Sequence, residues 1–315
     1  MYVIRDGQKS DLPGLRKLAS ELNTVNLPDD ERELSSILEK SARSFDGRIR
    51  NPFEREYLFV MEEPRSGKVI GSSLIIAQHG TRDAPHIFFD VYEKEHYSYS
   101  VDRHFRHRVL SIGYNFDGPT EIGGLVVDPQ FRGQGKPGKQ LSYVRFLYIA
   151  MHRPRFRDRI LVELLPRLEE DGRSPLWEAL GRKFTGLKIQ EAIGEVGPES
   201  GGARAMLTKI GFRYDERIDP FDGGPHHSAP TELIEPIRRF RRAKLARQRL
   251  PAGAEASPGE TDERLVSVER TQGRNRFRAV RTVCAFRDAE VQLPPSAVEA
   301  LEAEDGERLH TIPFE

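Results

Sequence analysis

The chain has 315 residues, of which 37% are hydrophobic, so it can bury one substantial core and a small appendage. Lysine plus arginine and aspartate plus glutamate both total 49, and this balance argues against a chain that coats nucleic acid. Its one cysteine, Cys284, cannot form an internal disulfide. No stretch approaches the ~18 uninterrupted apolar residues of a membrane span, and the N-terminus lacks a signal-peptide pattern. We therefore expect a soluble, cytoplasmic protein that binds neither nucleic acid nor membrane.

The first 77 residues predict a strand, two helices and a hairpin. Residues 2–5 predict a short strand, and leucines at helical spacing from Ser10 predict a helix. Residues 29–42 predict a second helix. Residues 57–61 and 68–77 predict two strands, because the segment between them carries turn-forming proline and glycine.

The middle of the chain predicts an irregular segment followed by alternating strands and helices. Residues 78–115 are rich in histidine, arginine and tyrosine without a clear period, and we expect only a long, partly extended excursion there. Further predicted elements follow in order: a strand at 122–127, a helix at 138–152, a strand at 160–165, helices at 174–184 and 203–210, and a returning strand.

The last 80 residues predict a long basic helix and a small module. Residues 234–250 carry many arginines and lysines and are interpreted as a helix with a solvated face, followed by a proline-rich and glycine-rich linker. Short strands and one helix at 296–303 follow. We therefore predict one large domain at 1–235, a basic helix and linker at 236–262, and a small β-rich module at 263–315.

A glycine-rich turn between strand 122–127 and the next helix carries the most chemical information. Glycines let backbone N–H groups point inward, and a helix N-terminus adds unpaired donors and a positive dipole end, so this arrangement binds phosphate. Gly133, Gly135 and Gly138 match the dinucleotide pattern G-x-G-x-x-G, with Glu163 at about the required offset. The segment from Gly133 to Gln140 also nearly matches the phosphate-binding loop of nucleoside triphosphatases, but Gln140 replaces the hydroxyl residue that would bind magnesium.

A third interpretation is the acyl-CoA turn, since the segment resembles the V-x-P-x-x-R-G-x-G-x-G signature of GCN5-related N-acetyltransferases. The spacer from Asp128 to Phe131 favours it, because a dinucleotide fold turns directly from its strand into the first glycine. The resemblance implies an α+β fold, a mixed sheet flanked by helices. It also implies that main-chain groups of Leu125 and Val127 bind the pantetheine arm, while Arg132 and the glycine amides bind the diphosphate.

Two groups of residues are candidates for the chemistry of acyl transfer to an amine. Such a reaction needs a base, and Glu163 on the strand after the helix is one candidate. His226 and His227 could move protons near neutral pH, although adjacent histidines on a loop are usually solvated. Asp219 and Asp222 could bind a cationic substrate, or they could serve only turn formation. We expect no metal site.

The residues together resemble the bacterial arginine N-succinyltransferases, including the paired arginine and ornithine forms. The resemblance spans nearly the whole chain and is carried by LVVDPQFRGQGKPGKQLSYVRFLYIA, DGRSPLWEALGRKF, EVGPESGGARAMLTKIGFRY and IDPFDGGP. It implies transfer of succinyl from succinyl-CoA, a co-substrate rather than a bound cofactor, to the α-amino group of arginine in arginine catabolism. It also suggests a homodimer or a pair of related subunits.

Two departures from the family keep alternatives open. Gly197 stands where the family carries a proton-donating histidine before a proline, and a longer segment of the family is missing between Gln190 and Ile193. An arginine enzyme with another proton donor, an acyltransferase for a different amine, and a non-catalytic acyl-CoA-binding subunit all remain compatible with the sequence. A nicotinamide-dependent oxidoreductase is a further, less favoured alternative.

Overall fold

The computed structural model describes residues 1–21, 27–82, 84–169, 173–178, 196–271 and 276–314. They fall into two units. The first unit comprises Met1–Ala77, Ile122–Phe156 and Glu235–Glu315, and the second comprises Gln78–Glu121 and Arg157–Ile234. Both parallel and antiparallel strand pairs occur, and helices accompany them, so the predicted α+β class is confirmed.

Strands make up most of the regular structure, and helices connect some of them. In chain order the strands are β1 Val3–Asp6, β2 Glu56–Glu63, β3 Lys68–Ile76, β4 His86–Ser98, β5 Arg103–Asn115, β6 Thr120–Val127, β7 Arg159–Glu163, β8 Arg213–Ile218, β9 Pro225–Pro230, β10 Arg241–Leu245, β11 Asp262–Glu269, β12 Phe277–Arg287, β13 Glu290–Gln292 and β14 Arg308–Pro313. The described α-helices are α1 Leu12–Glu21, α2 Glu31–Phe45, α3 Pro137–Met151, α4 Gly201–Lys209, α5 Glu235–Arg238 and α6 Pro295–Leu301.

The strands of the first unit run in the order β11-β14-β10-β13-β12-β1-β2-β3-β6. The predicted hairpin is present as β2 and β3, which pair antiparallel. Helix α2 begins where the side chain of Asp30 accepts hydrogen bonds from the backbone N–H groups of Arg32 and Glu33, a cap worth ~1 kcal/mol. Its Leu34 and Leu38 are buried among residues of α1, β2 and β3. Helical spacing of leucines thus covers one face of the sheet.

The C-terminal strands join the first unit through β1. Strand β12 pairs antiparallel with β1, placing Val3 opposite Val280. Because β11 also pairs with β12, the strands β11, β14, β10, β13 and β12 close into a ring without free edges. Val3 is buried in the same apolar cluster as Leu245 and Val266. The described residues therefore do not separate 263–315 from the N-terminal strands, and the division of the chain at residues 235 and 262 remains a prediction.

The predicted basic helix at 234–250 was wrong. Only Glu235–Arg238 is helical, and Arg241–Leu245 forms β10 between β14 and β13. The buried residues are Ala243 and Leu245, with exposed Arg242 and Lys244 alternating with them. This period of two is the pattern of a strand with one buried face. Abundant charge in the segment obscured that alternation and suggested a solvated helix instead.

The strands of the second unit run in the order β7-β9-β8-β4-β5. Strands β4 and β5 form a long antiparallel hairpin across the segment for which an extended excursion was predicted. Strand β6 begins in this unit, where Thr120 and Glu121 pair in parallel with Ile160 and Leu161 of β7. Strand β9 pairs antiparallel with β7 and places His226 opposite Glu163.

Most of the other predicted elements agree with the structure. The N-terminal helices, the strand 122–127, the helix 138–152 and the helix 203–210 are confirmed with small shifts of their ends. The predicted helix 174–184 and the shortened segment after Gln190 lie largely outside the described residues. Of the helices that the structure describes, none has the length and apolar character needed to cross a membrane.

Gly71 of β3 provides a test of the packing between sheet and helix α3. A Cβ at this position would lie 2.7 Å from Cδ1 of Leu141 and 2.7 Å from the backbone oxygen of Val126. We predict that Gly71→Ala lowers the free energy of unfolding by about 1–3 kcal/mol, because backbone must move to admit the methyl group.

The matched control is Gly202→Ala in helix α4, where a Cβ meets no atom within 4 Å. This variant should be neutral or stabilised by up to ~1 kcal/mol through helix propensity. Urea unfolding followed by circular dichroism measures both. Equal stability of the wild-type protein and Gly71→Ala would contradict the described packing.

Candidate active site

The link between β6 and α3 has the geometry of an anion-binding turn. At the end of the strand, Asp128 forms an ion pair with Lys68 at 2.8 Å. Gly133 and Gly135 have φ angles of +86° and +70°, in the left-handed region that glycine enters without steric cost. Lys136, with φ of +56°, precedes helix α3. The sequence thus places its glycines where the backbone reverses.

Unpaired backbone donors concentrate in this turn. Within the part of the chain that the structure describes, the N–H groups of Gly133, Gly135 and Lys136 have no hydrogen-bond partner. All three residues are exposed. They lie directly before the N-terminus of α3, where the helix dipole adds positive potential. The turn therefore offers three donors and a favourable field to a phosphate group.

Side chains from the helix and from the C-terminal strands hold the turn in place. The backbone oxygen of Gly135 accepts hydrogen bonds from Nε2 of Gln140 at 2.7 Å and from Nη1 of Arg281 at 2.9 Å. Arg281 is itself paired with Glu263 at 2.6 Å and lies over the ring of Phe314. The C-terminal strands thus orient a peptide of the turn.

The other residues predicted to bind the acyl-CoA have mixed environments. Arg132 is exposed, and its Nε donates to the backbone oxygen of Val127 at 3.2 Å. Leu125 is 37% exposed within a largely buried strand. A Cβ on Gly138 would make only an ordinary contact with Val127, so space does not require glycine there. Binding of CoA by these residues remains a prediction.

A second cluster of polar residues lies inside the second unit. Glu163 at the end of β7 has His86 Nε2 at 3.4 Å and His226 Nε2 at 3.3 Å from its Oε1. The rings of His86 and His226 stack at 5.3 Å. His79 contacts Glu121 through Nδ1. The expectation that His226 and His227 lie on a solvated loop was wrong, because both are buried on β9.

Burial sets the protonation of this cluster. It raises the pKa of Glu163, and it lowers the pKa of His226 to about 3 with help from the neighbouring histidines. For His79 burial acts against the charge, but the contact with Glu121 outweighs it and raises the pKa. Glu163 is therefore a stronger base than an ordinary carboxylate, and His226 is neutral at physiological pH. A cavity of about 290 Å³ borders His86 and His226.

The acidic loop after β8 uses its carboxylates for turn formation. Asp219 Oδ1 accepts hydrogen bonds from the backbone N–H groups of Phe221 and Asp222, and Asp222 Oδ1 accepts one from Gly224. These are the self-bonding patterns of aspartate in turns. Burial nevertheless raises the pKa of Asp222 to about 7, with its Asp219 neighbour contributing. Substrate binding by Asp219 and Asp222 remains a prediction.

Sequence reasoning missed His79, His86 and Glu121. They come from the segment before β4, the start of β4 and the start of β6, and sheet pairing brings them near Glu163. Only the excess of histidine at 78–115 gave a signal. Gly197, where the resemblance implied a histidine, donates its N–H to the backbone oxygen of Leu165 and precedes a short 3-10 helix.

The comparisons with known proteins agree with this architecture. The model of the family "Arginine N-succinyltransferase beta subunit" matches residues 2–192 and 186–236. The arginine N-succinyltransferase of Enterobacter sp. (strain 638) is 31% identical, covering 89% of this chain and 88% of that protein. That of Shigella boydii serotype 18 is 28% identical, with coverage of 99% and 97%.

A solved structure also matches along the whole chain. Arginine/ornithine succinyltransferase subunit AI from Pseudomonas aeruginosa superposes with a TM-score of 0.84 at 29% identity, covering 99% of this chain and 98% of that one. The mixed sheet, glycine turn and following helix thus belong to an acyltransferase of the α+β class. Within that class, the chain belongs to the arginine N-succinyltransferase family.

Removing the side chain that orients Gly135 tests the importance of the turn. We predict that Arg281→Met weakens binding of CoA by about 3- to 10-fold, because one hydrogen bond that fixes the turn is lost while the aliphatic stem remains. Isothermal titration calorimetry with CoA measures the change. Arg287→Met, an exposed position at the end of the same strand, is the control and should bind like wild type. Equal affinities for all three proteins would contradict the role of Arg281.

Proposed function

We propose that the chain is an arginine N-succinyltransferase, which transfers succinyl from succinyl-CoA to the α-amino group of arginine in arginine catabolism. The observation that carries the proposal is family membership along the whole chain together with a donor turn whose amides are unpaired. The amine nitrogen attacks the thioester carbonyl, the carbon–sulfur bond breaks, and an amide forms. The amine loses one proton, and the departing CoA thiolate gains one.

The donor half of the reaction is assigned to the turn and the strand before it. The amides of Gly133 and Gly135, together with Arg132, would bind the diphosphate, and main-chain groups of Leu125 and Val127 would hold the pantetheine arm. Charge-assisted hydrogen bonds of this kind are about twice as strong as neutral ones. The exposed amides and the exposed guanidinium group support this assignment.

The acid–base half is assigned to Glu163 and His226. Glu163 would accept the proton of the attacking amine, and its raised pKa supports that role. His226, whose Nε2 lies 3.3 Å from the same carboxylate oxygen, is proposed as the second catalytic residue. Asp219 and Asp222 are proposed to receive the guanidinium group of arginine, because carboxylates pair with its planar donors.

The assay follows release of CoA thiol by the purified chain with succinyl-CoA and arginine, and mass spectrometry identifies the product. The protein's own thiol does not interfere, because Cys284 is buried and its pKa is raised to about 12. Ornithine and acetyl-CoA, offered in turn, define the acceptor and the donor. Absence of thiol release with every pair would overturn the proposal.

Substitution of the proposed base gives a sharper test. We predict that Glu163→Gln lowers kcat by about 10²- to 10⁴-fold, since the amine then lacks its proton acceptor. Affinity for CoA in calorimetry should stay unchanged. Glu169→Gln, an exposed carboxylate shortly after β7, is the matched control and should retain wild-type rates. A wild-type kcat for Glu163→Gln would remove this residue from the mechanism.

A second candidate function is a non-catalytic subunit that binds acyl-CoA, favoured by Gly197 in place of the family's histidine. Binding of CoA without any turnover would support it. We further propose a cytoplasmic enzyme that assembles as a homodimer or with a related subunit. The support is that the matching family and the Pseudomonas aeruginosa protein are both described as subunits.

A further inference from the structure

Three potential metal ligands converge in the second unit. One ligand atom from each of His79, His86 and Glu163 lies within 4.8 Å of the others. His86 is buried, and neither of its ring nitrogens has a hydrogen-bond partner among the described residues. Buried polar atoms are almost always paired, so an unpartnered buried imidazole needs an explanation.

The spacing of these atoms suits a small divalent cation. Ligand atoms around tetrahedral Zn²⁺ at 2.0–2.2 Å lie roughly 3.3–3.6 Å from each other. The distance between His86 Nε2 and Glu163 Oε1 is 3.4 Å. The limit of 4.8 Å for the whole set therefore requires a contraction of at most about 1.5 Å on binding.

The surroundings of the set also resemble those of a metal centre. His79 contacts the carboxylate of Glu121 through Nδ1, and we infer that its Nε2 is the nitrogen that would bind a metal. Metal-binding histidines characteristically donate a hydrogen bond from their second ring N–H to a carboxylate, and this partner fixes the orientation of the ring. Glu121 is itself buried and held by its pairing with Leu161 of β7.

A fourth group lies next to the three. His226 is 1% exposed, both of its ring nitrogens are unpartnered among the described residues, and Nε2 lies 3.3 Å from the same Glu163 oxygen as His86. Three imidazoles around one carboxylate form a donor set for zinc and its neighbours in the periodic table, whereas Mg²⁺ and Ca²⁺ prefer oxygen ligands.

We propose that His79, His86 and Glu163 bind a divalent cation of the zinc type, with His226 beside the open fourth position. The cation occupies the carboxylate of Glu163, and it therefore inhibits acyl transfer. The inhibition rests on the proposed function, in which Glu163 is the base. The binding of the cation does not depend on the proposed function.

The binding test uses the full chain, stripped with EDTA and titrated with zinc chloride in calorimetry and against a chromophoric chelator. We expect one Zn²⁺ per chain. His86→Asn and Glu121→Gln should each weaken binding at least ~10-fold, the first by loss of a ligand and the second by loss of the carboxylate behind His79. His96→Asn, on the exposed part of β4, is the control and should bind like wild type.

Circular dichroism establishes that each variant is folded. Stoichiometric binding that His86→Asn loses and His96→Asn keeps supports the site. Absence of binding, or equal affinity in folded His86→Asn and wild type, overturns it.

The activity arm separates the two claims. Zn²⁺ should inhibit the wild type at concentrations that fill the site, and EDTA should reverse the inhibition. Binding without inhibition leaves the metal site in place and overturns the use of Glu163 as base. If the chain binds zinc but does not transfer succinyl, the result contradicts the proposed function and leaves the metal site in place.

Discussion

The proposed chemistry depends on three backbone N–H groups in a turn that other residues hold in place. None of the three has a hydrogen-bond partner among the described residues. Gly133, Gly135 and Lys136 leave these donors open, while Gln140 and Arg281 fix the carbonyl of Gly135. A preorganised set of donors loses less freedom on binding an anion, so its rigidity contributes to affinity.

The buried cluster around Glu163 is a second consequence of sheet pairing. Strand β9 brings His226 opposite Glu163, and the start of β4 brings His86 to the same carboxylate oxygen. Burial favours the uncharged forms and leaves imidazole nitrogens without partners within the described part of the chain. The same arrangement suits a proton acceptor and a metal ligand, so one carboxylate links the proposed chemistry to the proposed inhibition.

The sequence predicted those features whose signals are local. The order of strand, glycine turn and helix was readable because glycine, proline and apolar spacing act over a few residues. The prediction for residues 234–250 was wrong because the many charged side chains masked the alternation of buried and exposed residues in β10. That alternation follows from pairing with the neighbouring strands β14 and β13. The histidine cluster was not predictable, since His79, His86 and Glu163 meet only through pairing between distant strands. The long hairpin of β4 and β5 lacked periodicity because much of it is exposed on both faces.

The most direct measurement of diphosphate binding by the turn is amide nuclear magnetic resonance during addition of CoA. We predict that the N–H resonances of Gly133, Gly135 and Lys136 shift most, with saturation at the calorimetric affinity, and that pantetheine, which lacks the phosphates, leaves them unchanged. Saturable binding of CoA with these three resonances unmoved would contradict the assignment of the turn to the diphosphate.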